Sequence, residues 1–184
     1  MNALARFFKL SLVVAVFFVP HIAAGQDADL DELYSQLRDP DTRDWESVED
    51  QIWSEWSKSG SPSFDLLLER GREALEAGDT DAAIEHLTAL TDHAPDFAEG
   101  WNARATAYFN AEMYGPSLSD IERTLALNPN HFAAVAGMAM ILDDIGYPRD
   151  ALSAYRAAAA IHPHRPDIKD AMERLEQELA GQDL

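Results

Sequence analysis

The sequence predicts an all-α chain, a right-handed superhelix of antiparallel helix pairs stacked as an α-solenoid. Three observations carry this. Prolines stand at positions 95, 129 and 163, two equal intervals of 34 residues, the period of a helix-turn-helix array. Each proline separates two apolar, helix-forming runs. In TLALNPNHFAAV (124–135) one run stops at Asn128-Pro129 and the next begins a few residues later, because proline cannot continue a helix and pushes its predecessor out of the helical region. Alanine, leucine and glutamate are abundant, and all three favour helix.

In chain order, the first element is a leader. MNALARFFK carries Arg6 and Lys9 and no acid, Leu10 to Val19 is an apolar core, Pro20 breaks it, and HIAAGQ supplies small residues for cleavage. This is the three-part pattern of a secretory signal peptide. It is expected over residues 1–25, with cleavage after Ala24 or Gly25. The core is short for a membrane span, and an uncleaved anchor is the alternative. There is no cysteine, so neither disulfides nor a lipid-modified N-terminus is available. The expected product is soluble, exported and not a lipoprotein, with a bacterial periplasm fitting best.

The chain has 33 acidic and 14 basic side chains, a formal net charge of −19. Loss of the leader takes Arg6 and Lys9 with it. The acid excess argues against nucleic acid, which wants clustered positive charge, and against an anionic lipid surface. Solubility or an acidic docking face would both explain it.

Residues 27–60 read as a degenerate helical hairpin covering the first repeat. Leu30, Leu33, Tyr34 and Leu37 form one helical face, and Trp45, Val48, Ile52 and Trp56 another at 3-4 spacing, with Pro40 and Asp41 between them. Trp53 falls off that stripe and is expected at the core edge. SKSGSPS (57–63) has turn composition.

Three units follow, 64–97, 98–131 and 132–165, with proline at position 32 of each. Position 8 is Gly71, Ala105 and Ala139, and position 20 is Ala83, Ser117 and Ala151. Small residues there let the two helices of a pair approach closely. Position 4 (Leu67, Trp101, Val135) and position 24 (Leu87, Ile121, Tyr155) supply the large groups that fill the layers. Gly78-Asp79 ends one helix and caps the next. Gly146 ends another, and Pro148 suits a first helical position. Helices are predicted at 65–77, 80–92, 98–111, 116–127, 132–145 and 148–160. A seventh segment, 166–180, is apolar through Ile168, Met172, Leu175 and Leu179 and charged elsewhere, as a capping helix should be. It belongs to a C-terminal cap and tail over 166–184.

This pattern resembles the tetratricopeptide repeat, which places a large residue at 4, small ones at 8, 20 and 27, aromatics at 11 and 24, and proline at 32. Unit two matches with Trp101, Ala105, Tyr108 and Pro129, and unit three with Ala139, Ala151, Tyr155, Ala158 and Pro163. Departures are Leu90 and Thr124 at position 27 and Ala74 at position 11. The resemblance implies a concave groove lined by positions 2, 5, 9, 12 and 13 of the first helices. Its lining would include Leu68, Arg72, Asn102, Thr106, Phe109, Asn110, Met140 and Asp143, with Leu75 and Ala136. Such a groove suits an extended or helical peptide, although these side chains could instead meet the C-terminal helix or solvent. The subtype that clamps the C-terminal carboxylate of heat-shock chaperones uses lysine, asparagine or arginine at groove positions. Only Arg72 and Asn102 offer suitable chemistry here, which sets that subtype aside.

No catalytic constellation stands out: there is no phosphate loop, metalloprotease helix, nucleophile elbow or cysteine nucleophile. His162-Pro163-His164 is the most suggestive cluster, with His131 and His93 at similar repeat ends. No third ligand is fixed by spacing, and helix C-termini suit histidine through the dipole. No cofactor or metal is expected. Asp143-Asp144 reads as a solvated face, and Met138 and Met140 as core filler. The leading reading is a non-catalytic exported scaffold binding a protein or peptide, through its groove or its Trp-rich hairpin. The alternatives are a self-associating structural protein of the envelope, possible as a homo-oligomer, and an accessory subunit or chaperone of an envelope assembly machine. An enzyme is a further reading, disfavoured by the missing motifs.

Overall fold

The computed structural model describes residues 26–182; the leader, its cleavage point and the last two residues lie outside them. Nine helices and no strand are present among the described residues. They are α1 (Gln26–Arg38), α2 (Trp45–Trp56), α3 (Pro62–Glu76), α4 (Thr80–His93), α5 (Ala98–Asn110), α6 (Tyr114–Leu127), α7 (Phe132–Asp144), α8 (Pro148–Ile161) and α9 (Pro166–Gln182). Each helix packs on its neighbour in the chain from α3 to α9, and α3·α4, α5·α6 and α7·α8 are the tightest pairs. The result is an α-solenoid of three helix pairs closed by α9.

Small residues set the spacing within each pair. Gly71, Ala83, Ala105, Ser117, Ala139 and Ala151 are all buried. A Cβ added at Gly71 would sit 2.5 Å from the Cδ2 of buried Leu87. At the α5–α6 crossing the Ser117 hydroxyl donates to the Ala105 carbonyl at 2.8 Å, a contact that only close backbones permit. The departure at position 27 has a local remedy. Leu90 is fully buried, and Gly100 of the next unit lies under it, where a Cβ would meet the Leu90 Cγ at 3.2 Å.

The repeat is also written in the backbone. Gly78, Glu112 and Gly146 carry φ of 73°, 58° and 82° and stand 34 residues apart. All three follow the first helix of their unit in the left-handed conformation that closes a helix. Glu112 is the non-glycine exception, and helix α6 begins at Tyr114, two residues earlier than the sequence predicts. The Asp79 carboxylate accepts from Ala82 N–H at 3.1 Å and caps α4 as expected.

The N-terminal hairpin departs from expectation in its placement. It does not cap the first repeat. Its buried cluster of Tyr34, Leu37, Val48, Ile52 and Trp56 takes Phe132 of α7 as a member, with Ala133 and Ile161 packed alongside. The hairpin lies against the turns that join unit two to unit three and unit three to α9. Trp53 is half-buried and meets Phe132 edge-on at 6.0 Å, at the core edge.

Two substitutions test this packing. Gly71→Ala must displace Leu87 in a filled interior and is expected to cost about 1–3 kcal/mol, read as a fall in the urea midpoint. Glu112→Gly relieves left-handed strain, offset in part by unfolded-state entropy, and is expected to stabilise by up to about 1 kcal/mol. An unchanged midpoint in the first or a lowered one in the second would contradict the geometry.

Candidate functional site

The first helices of the units, α3, α5 and α7, carry most of the lining of two recesses in which the expected groove residues fall. A cleft of about 280 Å³ opens between α5, α7 and the start of α9. Helical spacing puts Asn102, Thr106, Phe109 and Asn110 of α5 on one wall, and Ala136, Gly137 and Met140 of α7 on the other. Met140 is 44% exposed, so it is a lining residue and not core filler, and Phe109 is half-buried, 5.8 Å from the Tyr114 ring. Of the eight groove residues read from sequence, five therefore meet in one cleft.

The other three lie elsewhere. Leu68 is 2% exposed and belongs to the core between α3, α4 and α5, touching only a shallow recess on α3. Asp143 is bound by Arg174 of α9, so it fastens the cap to unit three. Arg72 lines the α3 recess, but its guanidinium is engaged with Ser57 Oγ at 2.9 Å and Glu99 Oε1 at 2.7 Å.

Glu99 is the residue that sequence reasoning missed. Its carboxylate is 2% exposed, and a buried carboxylate stays charged only where donors replace its water. Arg72 supplies one. Asn102 Nδ2 donates at 3.2 and 3.3 Å. His131 completes the set, its Nε2 lying 2.9 Å from Glu99 Oε2. The other ring nitrogen of His131 accepts from Ala134 N–H at 3.2 Å, which fixes the proton on Nε2 and makes it the donor. His131 is thus the N-cap of α7, not a residue of a helix C-terminus as the repeat position suggested. Asn102, expected as a free donor in the groove, is engaged in the same network. The signal was present: an acid at position 2 with an amide three residues on, and an arginine at position 9 of the preceding unit.

The hairpin closes over this network. The Trp56 indole stacks on the His131 ring at 4.0 Å and 16° and donates to Tyr34 Oη at 2.8 Å. Asn128 Nδ2 donates to the same oxygen at 3.2 Å, and Arg38 donates to Asn130 Oδ1 at 2.7 Å. At the next turn, Glu49 accepts from His162 Nε2 at 3.1 Å, Arg165 Nη1 at 3.0 Å and Trp53 Nε1 at 3.2 Å. Trp45 stacks on His164 at 5.8 Å and 5°. The three hairpin tryptophans are therefore used within the chain. His162 and His164 serve the same contact, and no group of three His, Cys, Asp or Glu side chains converges as metal ligands would among the described residues. No helix among them is long and apolar enough to cross a membrane.

Burial alone would raise the Glu49 pKa, but the His162 and Trp53 hydrogen bonds and the Arg165 charge outweigh it and hold the carboxyl below the ordinary range. A depressed acid stabilises the fold fully above its unfolded pKa, and that contribution is lost as pH falls through the folded value. Acidification below the usual carboxylate range should therefore release the hairpin, seen as a change in tryptophan fluorescence. Glu49→Gln should flatten this acid limb. An acid transition unchanged by Glu49→Gln would show that the hairpin is held by other groups.

No family model matches the chain. A TPR repeat-containing protein of Rhizobium etli is 38% identical over 155 residues, which span 83% of this chain and 75% of that protein. Among solved structures, the first TPR domain of Spaghetti bound to the HSP90 peptide SRMEEVD matches with a TM-score of 0.60 at 23% identity, covering 62% of this chain and 91% of that one. The Sgt2 TPR domain from Aspergillus fumigatus matches at 0.63 and 19%, covering 67% and 83%. MamA matches at 0.61 and 19%, covering 78% and 85%. These structural likenesses establish the fold.

Proposed function

The chain belongs to the tetratricopeptide repeat family, and from that premise we propose that it is a non-catalytic, exported scaffold that takes a protein or peptide segment into its concave groove. The observation that carries this is the cleft between α5 and α7. It combines exposed Met140 and half-buried Phe109 with the side chains of Thr106 and Asn110, apolar area beside a few hydrogen-bonding groups, as recognition sites tend to be. The solved relative bound to an HSP90 peptide supports the same use of the fold. The residues of the proposed site are Thr106, Phe109, Asn110 and Met140, with Asn102 on the same wall, while Leu68, Arg72 and Asp143 lie outside the cleft. The leader over 1–25 routes the chain out of the cytoplasm, and the hairpin, three units and cap form the exported body.

A second reading, self-association, has one specific observation in its favour. Met113, Ile145 and Tyr147 are 44%, 42% and 55% exposed at the turns within units two and three. Light scattering of the purified protein separates a monomer from a stacked assembly.

A photo-crosslinking residue at position 140, in cells, tests the groove. Adducts are expected from position 140 and not from position 119, where Ser119 is exposed on α6. In pull-downs, Met140→Asp should weaken capture of the same partner at least about tenfold, near 1.4 kcal/mol. Equal adducts from both positions, or undiminished capture, would remove the groove from consideration.

A further inference from the structure

Two recesses open along the first helices of the units. The first, on α3, is lined by Ser57, Asp65, Leu68, Glu69, Arg72, Glu73 and Glu76. The second is the α5–α7 cleft, with Asn102 on its wall. The Arg72–Glu99–Asn102 chain of hydrogen bonds runs behind both, so an acidic recess and an apolar one lie along one wall, a track that a ligand long enough to reach both would follow.

The charges along this track are unbalanced in a definite way. Its arginines are already paired within the fold. Arg72 is held by buried Glu99, and Arg165, at the α9 side of the cleft, by Glu49 and Asp167. Asp65 is bonded to Ser59, and Asp143 to Arg174. Glu69, Glu73 and Glu76, spaced four and three apart on the exposed face of α3, have no ion pair among the described residues, and neither has their exposed neighbour Arg70, which does not line the recess. A ligand in the track meets three unneutralised carboxylates and no unpaired guanidinium, followed by an apolar cleft.

Resting on the groove reading above, we propose that the groove's occupant is a cationic segment with a bulky apolar anchor: a helix or extended strand whose leucine- or phenylalanine-type side chain fills the cleft at Phe109 and Met140, while flanking lysines or arginines lie along Glu69, Glu73 and Glu76. Complementary charge steers such a segment and rejects an acidic one. The apolar anchor supplies the desolvated centre that carries most of the affinity. The overall charge of −19 acts in the same direction at long range. The groove is thereby distinguished in chemistry from one that binds acidic tails.

The test uses the purified protein and two fluorescent synthetic peptides with the same leucine-phenylalanine core, flanked by lysines in one and by glutamates in the other. Anisotropy titration should show the lysine peptide binding at least about tenfold tighter, with the difference shrinking as salt rises. Glu69→Gln, Glu73→Gln and Glu76→Gln together should remove most of that preference while leaving helicity intact, since glutamine is comparable as a helix former. Met140→Asp should weaken the glutamate peptide and also the lysine peptide, because it damages the shared anchor site. Equal binding of both peptides that Met140→Asp abolishes would overturn the cationic assignment and leave the groove as a binding surface. Binding of neither peptide, or binding that Met140→Asp does not change, would overturn both. Preference for lysine that survives the triple glutamine variant would also overturn the proposed track.

Discussion

A carboxylate removed from water must find donors or lose its charge, and Glu99 finds them on three separate elements. Arg72 comes from unit one, Asn102 from its own helix and His131 from the turn into unit three. Removing Arg72 would leave charge uncompensated in the interior, which is far costlier than losing a surface pair, and removing Asn102 or His131 would leave a buried acceptor without its donor. The relative setting of α3, α5 and α7 is therefore tied to one residue, and with it the shape of the concave track. The hairpin depends on it too, because the ring that donates to Glu99 is the ring on which Trp56 stacks. Glu99 thus links the solenoid to an element that a simple repeat array would not include.

The repeat register was legible because it rests on steric requirements that only small residues meet. Gly71, Ala83, Ala105, Ser117, Ala139 and Ala151 are buried at the crossings where their spacing put them, and the capping helix follows the apolar stripe Ile168, Leu175 and Leu179. The left-handed residue of the second turn was hidden, since glutamate carries no sign of positive φ, whereas glycine at 78 and 146 does. The groove was only half legible. Position within the repeat says which side a residue faces, and so Thr106, Phe109, Asn110 and Met140 were placed. It does not say whether a polar side chain is already satisfied by a neighbour, and so Arg72 and Asn102 stood among the lining residues although Glu99 holds both, and Asp143 stood there beside the alternative it meets, a contact with the C-terminal helix. The placement of the hairpin could not be read from local pattern at all. Its apolar faces were evident, but what they cover is set by residues about a hundred positions away.

The division of labour among aromatic residues follows from the same contacts. Tryptophan is usually taken as a sign of a recognition surface. Here Trp45, Trp53 and Trp56 lie on histidines and a phenylalanine of the repeat turns, while the open cleft has no tryptophan and is furnished with Met140, Phe109 and the buried Phe132. Methionine is adaptable and tolerates varied partners. Rigid aromatic packing holds the scaffold, and soft side chains face outward.

The span of the hairpin contacts has a temporal consequence. Solenoids are built almost wholly from neighbours in sequence, so they can zip up locally. The Glu49–His162, Glu49–Arg165 and Asp39–His164 contacts instead bridge 113, 116 and 125 residues. Closing so long a loop carries an entropic cost that short-range packing does not, and it slows the step in which it occurs. The hairpin emerges early during synthesis, yet the turns that receive it are among the last parts of the body to be made. Trp45 and Glu49 must wait for their partners until the turn from the third pair into α9 exists, so this end of the hairpin settles late although it is made early.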